Sequence, residues 1–119
     1  MLITRNSLDF ETRSKIGDNP FMKIDAGDIV IAVLHSPREK LLGIVNEISP
    51  SGITIRSIDL GYFDDWCRAI TADEALLQMS DNFFPMWRIE RVTRDESSDD
   101  VPAMWEQFET RTGRRLEDQ

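Results

Sequence analysis

The chain has 119 residues, of which 40% are hydrophobic and 30% are charged. This size and composition are typical of one globular domain and exclude a disordered, collagenous or membrane protein. Its 22 acidic and 14 basic residues give a net charge of −8 at pH 7, which repels phosphate backbones and disfavours nonspecific binding to nucleic acids.

The compartment is indicated by the cysteine count and by the first residues. Cys67 is the only cysteine, so no disulfide can form within the chain, as is usual in a reducing compartment. The opening residues MLITRNSLDFETRSK lack the apolar core of a secretory signal, and no apolar run approaches the roughly 20 residues that span a bilayer. We therefore expect a cytoplasmic protein that makes no membrane contact.

Residues 1–25 are interpreted as an N-terminal extension. Within it, Ser7 followed by residues 8–15 and Gly17 predicts a short helix capped by the serine.

Three consecutive strands are predicted next. Residues 29–34 are β-branched and apolar on both alternating faces, which is typical of a central strand. A second strand is predicted over 41–48, with a bend or bulge at Gly43. The Pro/Gly turn at 49–52 leads into a third strand over 53–58, so these strands should pair antiparallel.

The hydrophobic period then changes to that of a helix. Asp59 precedes this segment as a candidate cap, and the helix is expected at about 61–70. Residues 71–74 have the form of a capping box, which predicts a further turn or short helix over 75–79. The apolar residues at helical spacing are Phe63, Trp66, Cys67 and Ile70.

Two late strands follow, at 82–84 and 87–94, separated by Pro85 and Met86. The apolar members of the second strand, Ile89 and Val92, lie three residues apart. A strand alternates with a period of two, so this gap predicts a bulge.

A C-terminal helix is predicted after the acidic linker 96–100. Pro102 suits the first turn, and Gly113 ends the helix. Met104, Trp105 and Phe108 form one apolar stripe. Trp105 and Phe108 must therefore be buried either on the sheet or on a neighbouring subunit.

The order of these elements resembles the Sm-like barrel, a five-stranded, strongly bent antiparallel sheet whose members usually form rings. Gly43, followed by Val45 and Ile48, resembles the first Sm signature, and residues 83–86 leading into 88–92 occupy the place of the second. The match covers about residues 28–58 and 82–94.

The resemblance implies a mainly β fold with added helices in a single domain, 1–119. Its barrel would occupy residues 28–95, with a helical insertion at about 60–79 between the third and fourth strands. A C-terminal helix would follow over residues 101–113.

Three positions depart from the members of that family that bind RNA. Those members carry an Asp and then an Asn in the loop after the second strand, where this chain has Ser49 and Ile53. Their later glycine-containing basic triplet is replaced by residues 85–87, and a helix takes the place of a shorter loop after the third strand. RNA binding is therefore a weaker expectation than the barrel.

Residues for catalysis are sparse. His35 and Cys67 would have to meet to form a nucleophile and base, but Cys67 lies on the apolar side of a predicted helix and is expected in the core. Three carboxylates, Asp59, Asp64 and Asp65, could surround Mg²⁺, but helix capping explains them equally well. We therefore predict a non-enzymatic protein without a catalytic, cofactor or metal site.

Trp87, Arg88 and Arg91 form the candidate ligand site. An aromatic ring beside two guanidinium groups could stack on an RNA base and pair with phosphate. The favoured interpretation is that Trp87 packs in the core and that the arginines pair with nearby carboxylates or a neighbouring subunit.

The sequence thus favours a module that forms homo-oligomers and contacts other proteins, with Trp105 and Phe108 as candidate interface residues. Single-stranded RNA binding is the alternative.

Overall fold

A five-stranded antiparallel sheet forms the body of the chain in the computed structural model, which describes residues 23–74 and 77–119. The strand order is β4-β3-β2-β1-β5, so β4 and β5 are the two edges and the ladder between described strands stays open. The antiparallel sheet is confirmed, whereas a closed, strongly bent barrel is not. The strands are β1 Ile29–Leu34, β2 Glu39–Ser49, β3 Gly52–Asp59, β4 Ser80–Pro85 and β5 Ile89–Arg94.

Two short α-helices among the described residues accompany the sheet. They are α1, Phe63–Thr71, and α2, Met104–Thr112. No helix among the described residues is long and apolar enough to cross a membrane.

One face of the sheet encloses an inner core. Phe84 of β4 packs against it, as do Ile89 and Val92 of β5, so both edge strands contact the same core. Its buried members are Val30, Ala32, Leu34, Leu41, Val45, Ile53 and Ile55. β1 contributes side chains to two cores, because Ile29 and Ile31 pack against the core on the opposite face, which contains the helices.

The opposite face carries an outer core built with α1 and α2. Trp66 of α1 stacks on Phe108 of α2, with ring centroids 4.4 Å apart. Leu42 of β2 and Ile58 of β3 contribute from the sheet. The apolar stripe predicted for α1 is thus buried within the chain, and the stripe predicted for α2 packs on the same core with only Phe108 fully buried.

The sheet contains two bulges. Leu34 pairs with Ile89 and Val33 pairs with Arg91, so Glu90 has no residue opposite it on β1. This confirms the bulge predicted before Val92. The bulge of β2 lies at Asn46 rather than at Gly43.

Gly43 instead permits a close approach of β3. A Cβ atom there would lie 2.7 Å from the carbonyl oxygen of Arg56 and equally close to the Ile55 side chain.

The start of α1 agrees with the sequence, whereas the capping box after it does not. The Asp59 carboxylate accepts the backbone N–H of Gly61 at 2.7 Å, which confirms its capping role in the 3₁₀ turn that leads into α1. Thr71 is the last residue of α1, and its hydroxyl donates back to the Cys67 carbonyl. Residues 77–79, the described part of the predicted turn or short helix, are not helical, and residues 75 and 76 lie outside the described residues.

The start of α2 is held by a carboxylate outside the helix. Buried Asp95 accepts the N–H groups of Met104 at 2.9 Å and of Trp105 at 2.8 Å. This satisfies two amides that have no acceptor within the helix. Pro102 precedes the helix, and Gly113 ends it with a left-handed φ of 72°.

The last strand begins later than predicted. Trp87 and Arg88 belong to a 3₁₀ turn, Met86–Arg88, because Pro85 and this tight turn redirect the chain before Ile89. The helix predicted from Ser7 lies outside the described residues.

Candidate functional site

Residues 83–87, called here the edge segment, expose three large apolar side chains. The exposed fraction is 54% for Phe83, 43% for Met86 and 64% for Trp87. Side chains alternate along a strand, so Phe83 lies on the face opposite to Phe84, which packs on the inner core. Because these three exposed apolar side chains lie on five residues, the edge segment is a candidate contact site.

The backbone under the edge segment is fixed by the β2–β3 turn. The Met86 N–H donates to the Ser51 carbonyl at 2.9 Å. A Cβ atom on Gly52 would lie 2.2 Å from the Phe84 carbonyl oxygen and 2.7 Å from the Phe83 ring. One side of the Phe83 ring therefore contacts the β3 backbone at Gly52. Its exposed side is held in place by this contact and by the pairing of β3 with β4.

Arg88 points back into its own chain and not toward solvent. Its guanidinium donates to the carbonyls of His35 at 3.2 Å and Pro37 at 2.8 Å and to the Glu39 carboxylate at 2.9 Å. It also lies over the Phe84 ring, 5.9 Å from the centroid, and its side chain is only 16% exposed. These contacts tie the β1–β2 turn to the edge segment and leave little of the guanidinium free for a phosphate.

Trp87 and Arg91 are both at the surface. Trp87 does not pack in the core, and its ring meets the edge of His35 with centroids 6.2 Å apart. Arg91 is exposed on β5 and forms no salt bridge with any described residue, while the neighbouring Glu90 pairs with Arg38. Of the three predicted ligand residues, Trp87 and Arg91 are accessible.

The predicted interface residues on α2 have different surroundings. Phe108 is fully buried against Trp66 within its own chain, so it offers no surface to a partner. Trp105 is half-buried and packs on the outer core. Phe108 is therefore not part of the contact surface predicted on α2, whereas Trp105 remains a candidate.

The sequence reasoning did not identify Phe83 and Met86 as exposed residues of a candidate site. The sequence did contain a signal, because two consecutive aromatic residues in a strand cannot both face one core.

Cys67 and His35 have separate surroundings. Cys67 is buried in the outer core, and burial raises the pKa of its thiol, which disfavours the nucleophilic thiolate. His35 is exposed in the β1–β2 turn, where its Nδ1 lies 3.1 Å from the Ser36 hydroxyl. The expected core role of Cys67 agrees with its position.

The three aspartates considered for Mg²⁺ each have a structural partner. Asp59 caps Gly61, and Asp65 pairs with Arg68 one turn along α1. Asp64 accepts a hydrogen bond of 2.8 Å from Arg111, which lowers the pKa of the Asp64 carboxyl. Among the described residues, no group of three side chains is arranged to hold a metal ion.

Comparisons with protein-family models, with curated proteins and with solved structures find no match for this chain. The function must therefore be inferred from the surfaces of the molecule.

Proposed function

We propose that this chain is a non-enzymatic, Sm-like module that assembles with copies of itself through the edge segment. The observation that carries the proposal is the exposure of Phe83, Met86 and Trp87 on five consecutive residues at an edge that no other described strand pairs with. Burying such side chains against a partner contributes roughly 25 cal/mol for each Å² removed from water.

The two edges of the described sheet, β4 and β5, supply a geometry for this assembly. An unpaired edge strand presents backbone N–H and C=O groups that can pair with another chain. Each copy offers β4 at one edge and β5 at the other, so β4 of one copy can pair with β5 of the next. Such a head-to-tail contact closes into a ring when the rotation between copies allows it.

The Sm-like resemblance supports the same reading. The sheet has five antiparallel strands, and a one-turn interruption separates the last two, as the resemblance implies. Contacts with other proteins could use the same apolar surface. Self-association is tested first because the experiment needs only the purified chain.

Light scattering during gel filtration tests the proposal. The wild-type chain should form a discrete oligomer at micromolar concentration, and Trp87→Ser should shift it toward the monomer. Val101→Ser is the matched control, because Val101 is also an exposed apolar residue but lies outside the edge segment. Circular dichroism should show that both variants remain folded, since neither side chain belongs to a core.

A wild-type chain that is monomeric throughout this range would contradict the proposal. Equal effects of Trp87→Ser and Val101→Ser would locate no interface at the edge segment and would also count against it.

Single-stranded RNA binding is the second candidate, favoured by the exposure of Trp87 and of Arg91, which forms no salt bridge within the described part of the chain. An exposed tryptophan can stack on a base of any sequence. The net charge of −8 opposes this function, and Arg88 is held by its own chain.

Fluorescence anisotropy with a labelled RNA oligomer tests this candidate at low and moderate salt. Binding through Trp87 and Arg91 should weaken as salt rises and should be lost in the Trp87→Ala and Arg91→Ala variants. No binding at the lowest salt would exclude the candidate.

A further inference from the structure

The outer face of β4 carries an acidic and an aromatic side chain. In the ladder, Phe83 lies opposite Thr54 and Asp81 lies opposite Arg56. These two β3 residues share a face with Ile58, which belongs to the outer core. Asp81 and Phe83 are therefore neighbours on the same face of β4, and both are exposed.

The Asp81 carboxylate is only partly compensated within its own copy. Its Oδ1 accepts the Asn46 amide at 3.2 Å and lies 3.4 Å from the Arg56 guanidinium. Arg56 is shared with Gln119, whose carbonyl oxygen accepts two shorter hydrogen bonds, at 2.8 and 3.1 Å. Because the Asp81 side chain remains 59% exposed, a further cation can reach it from solvent.

The outer face of β5 carries the opposite charge. Arg91 lies opposite Val33 and Thr93 lies opposite Ile31, which packs on the outer core. Arg91 and Thr93 are both exposed. The Arg91 guanidinium forms no hydrogen bond or salt bridge with any described residue. A cation without a carboxylate partner is unusual in a chain whose net charge is −8.

The two outer faces are complementary when one sheet continues into the next. In the proposed assembly β4 of one copy pairs with β5 of another, and a closed ring keeps the outer faces of all copies on one side. Side chains on one face of paired strands lie about 4.5–5.5 Å apart when opposite and about 7–8 Å apart when diagonal. The long Arg91 side chain therefore reaches both Asp81 and Phe83. A contact between two β4 edges would instead bring together two Asp81 carboxylates and no arginine from β5.

We propose that Arg91 of one copy binds to β4 of the next copy, where its guanidinium lies over the Phe83 ring and pairs with the Asp81 carboxylate. This pair rests on the proposed assembly and names the residue with which the second copy covers the edge segment. An arginine stem covers apolar surface, and the planar guanidinium stacks on an aromatic ring while it binds a carboxylate. Phe83 is thereby removed from water although β5 presents no exposed apolar side chain on this face.

Charge reversals of the full chain test the pair. Asp81→Arg leaves a cation at both contact positions of a copy, and Arg91→Asp leaves a carboxylate at both. Each variant alone should need a concentration at least about tenfold higher than wild type to assemble, because like charges then meet at every contact. Light scattering during gel filtration over a dilution series measures this concentration. An equimolar mixture of the two variants should assemble near the wild-type concentration, since opposite charges meet when the two alternate.

Arg114→Asp is the matched control, because it makes the same charge change on an exposed side chain outside both edge strands. Its assembly should stay within about twofold of wild type. Arg91→Lys separates stacking from charge: it should weaken assembly about threefold, because lysine keeps the charge but lacks the planar group. Substitutions of Arg91 remove no salt bridge with a described residue of the same copy, so circular dichroism should show that a single copy keeps its fold.

The pair is overturned if Arg91→Asp and Arg114→Asp assemble at the same concentration. It is also overturned if the mixture of two folded variants stays as dissociated as its components. In both cases a wild-type oligomer that Trp87→Ser dissociates would leave the proposed assembly standing, whereas a monomeric wild type would refute the assembly and the pair together. If Asp81→Arg does not fold, the comparison of Arg91→Asp with Arg114→Asp still decides.

Discussion

Replacing Arg88 with alanine should destabilise the fold, because this side chain connects the β1–β2 turn to the edge segment. The substitution removes three hydrogen bonds, one of them to the Glu39 carboxylate. All three have the charged guanidinium as donor, and a hydrogen bond with a charged group contributes about 2 kcal/mol net. Water can replace most of this at a turn, so we expect a loss of about 2 kcal/mol.

That loss corresponds to a fall in Tm of about 8 °C for a chain of this length. Urea denaturation, followed by circular dichroism, measures the free energy of unfolding directly. Arg88→Lys should lose about half as much, because lysine keeps the charge near Glu39 but lacks the planar fork that reaches two carbonyls at once.

Arg91→Ala is the matched control. Arg91 is exposed on β5 and has no salt bridge with a described residue, so its removal should change stability by less than about 0.5 kcal/mol. Equal stability losses for Arg88→Ala and Arg91→Ala would refute the anchoring role. So would an Arg88→Ala variant as stable as wild type.

Three further predictions follow from the fold. Asp95→Ala should cost about 1 kcal/mol of stability, measured by urea denaturation, because two amides at the start of α2 lose their acceptor. Gly43→Ala should destabilise more than Gly113→Ala, since its new Cβ meets backbone at 2.7 Å, whereas that of Gly113 meets open space and costs only the strain of a left-handed φ, about 1 kcal/mol; a similar Tm for both would contradict this. Asp64→Asn removes a carboxylate whose folded-state pKa is lowered by Arg111. The stability that this carboxylate contributes is present above its ordinary pKa and is lost as the pH falls through the lowered folded-state value, so unfolding curves of wild type and variant should converge in acid.

The strands were predictable because their signals are local. β1 begins and ends at the predicted residues, since a β-branched run bounded by turns allows few alternatives. The bulge near Glu90 could also be predicted, because an extra residue is the simplest way to place apolar residues three apart on one face.

The roles that were not predicted depend on contacts distant in sequence. Arg88 is occupied by carbonyls about fifty positions earlier in the chain, and no local pattern reveals that. Asp95 caps a helix that starts nine residues later, whereas a search for helix caps considers the residue directly before the helix.

The exposure of the edge segment follows from which part of the sheet the helices cover. The outer core contains side chains of β1, β2 and β3, but none of β4 or β5 among its described members. Phe83 lies on the outer face of β4, beyond that cover, whereas its neighbour Phe84 reaches the inner core. A strand that is apolar on both faces but covered on one needs a partner for the other. A second copy could meet that need at β4.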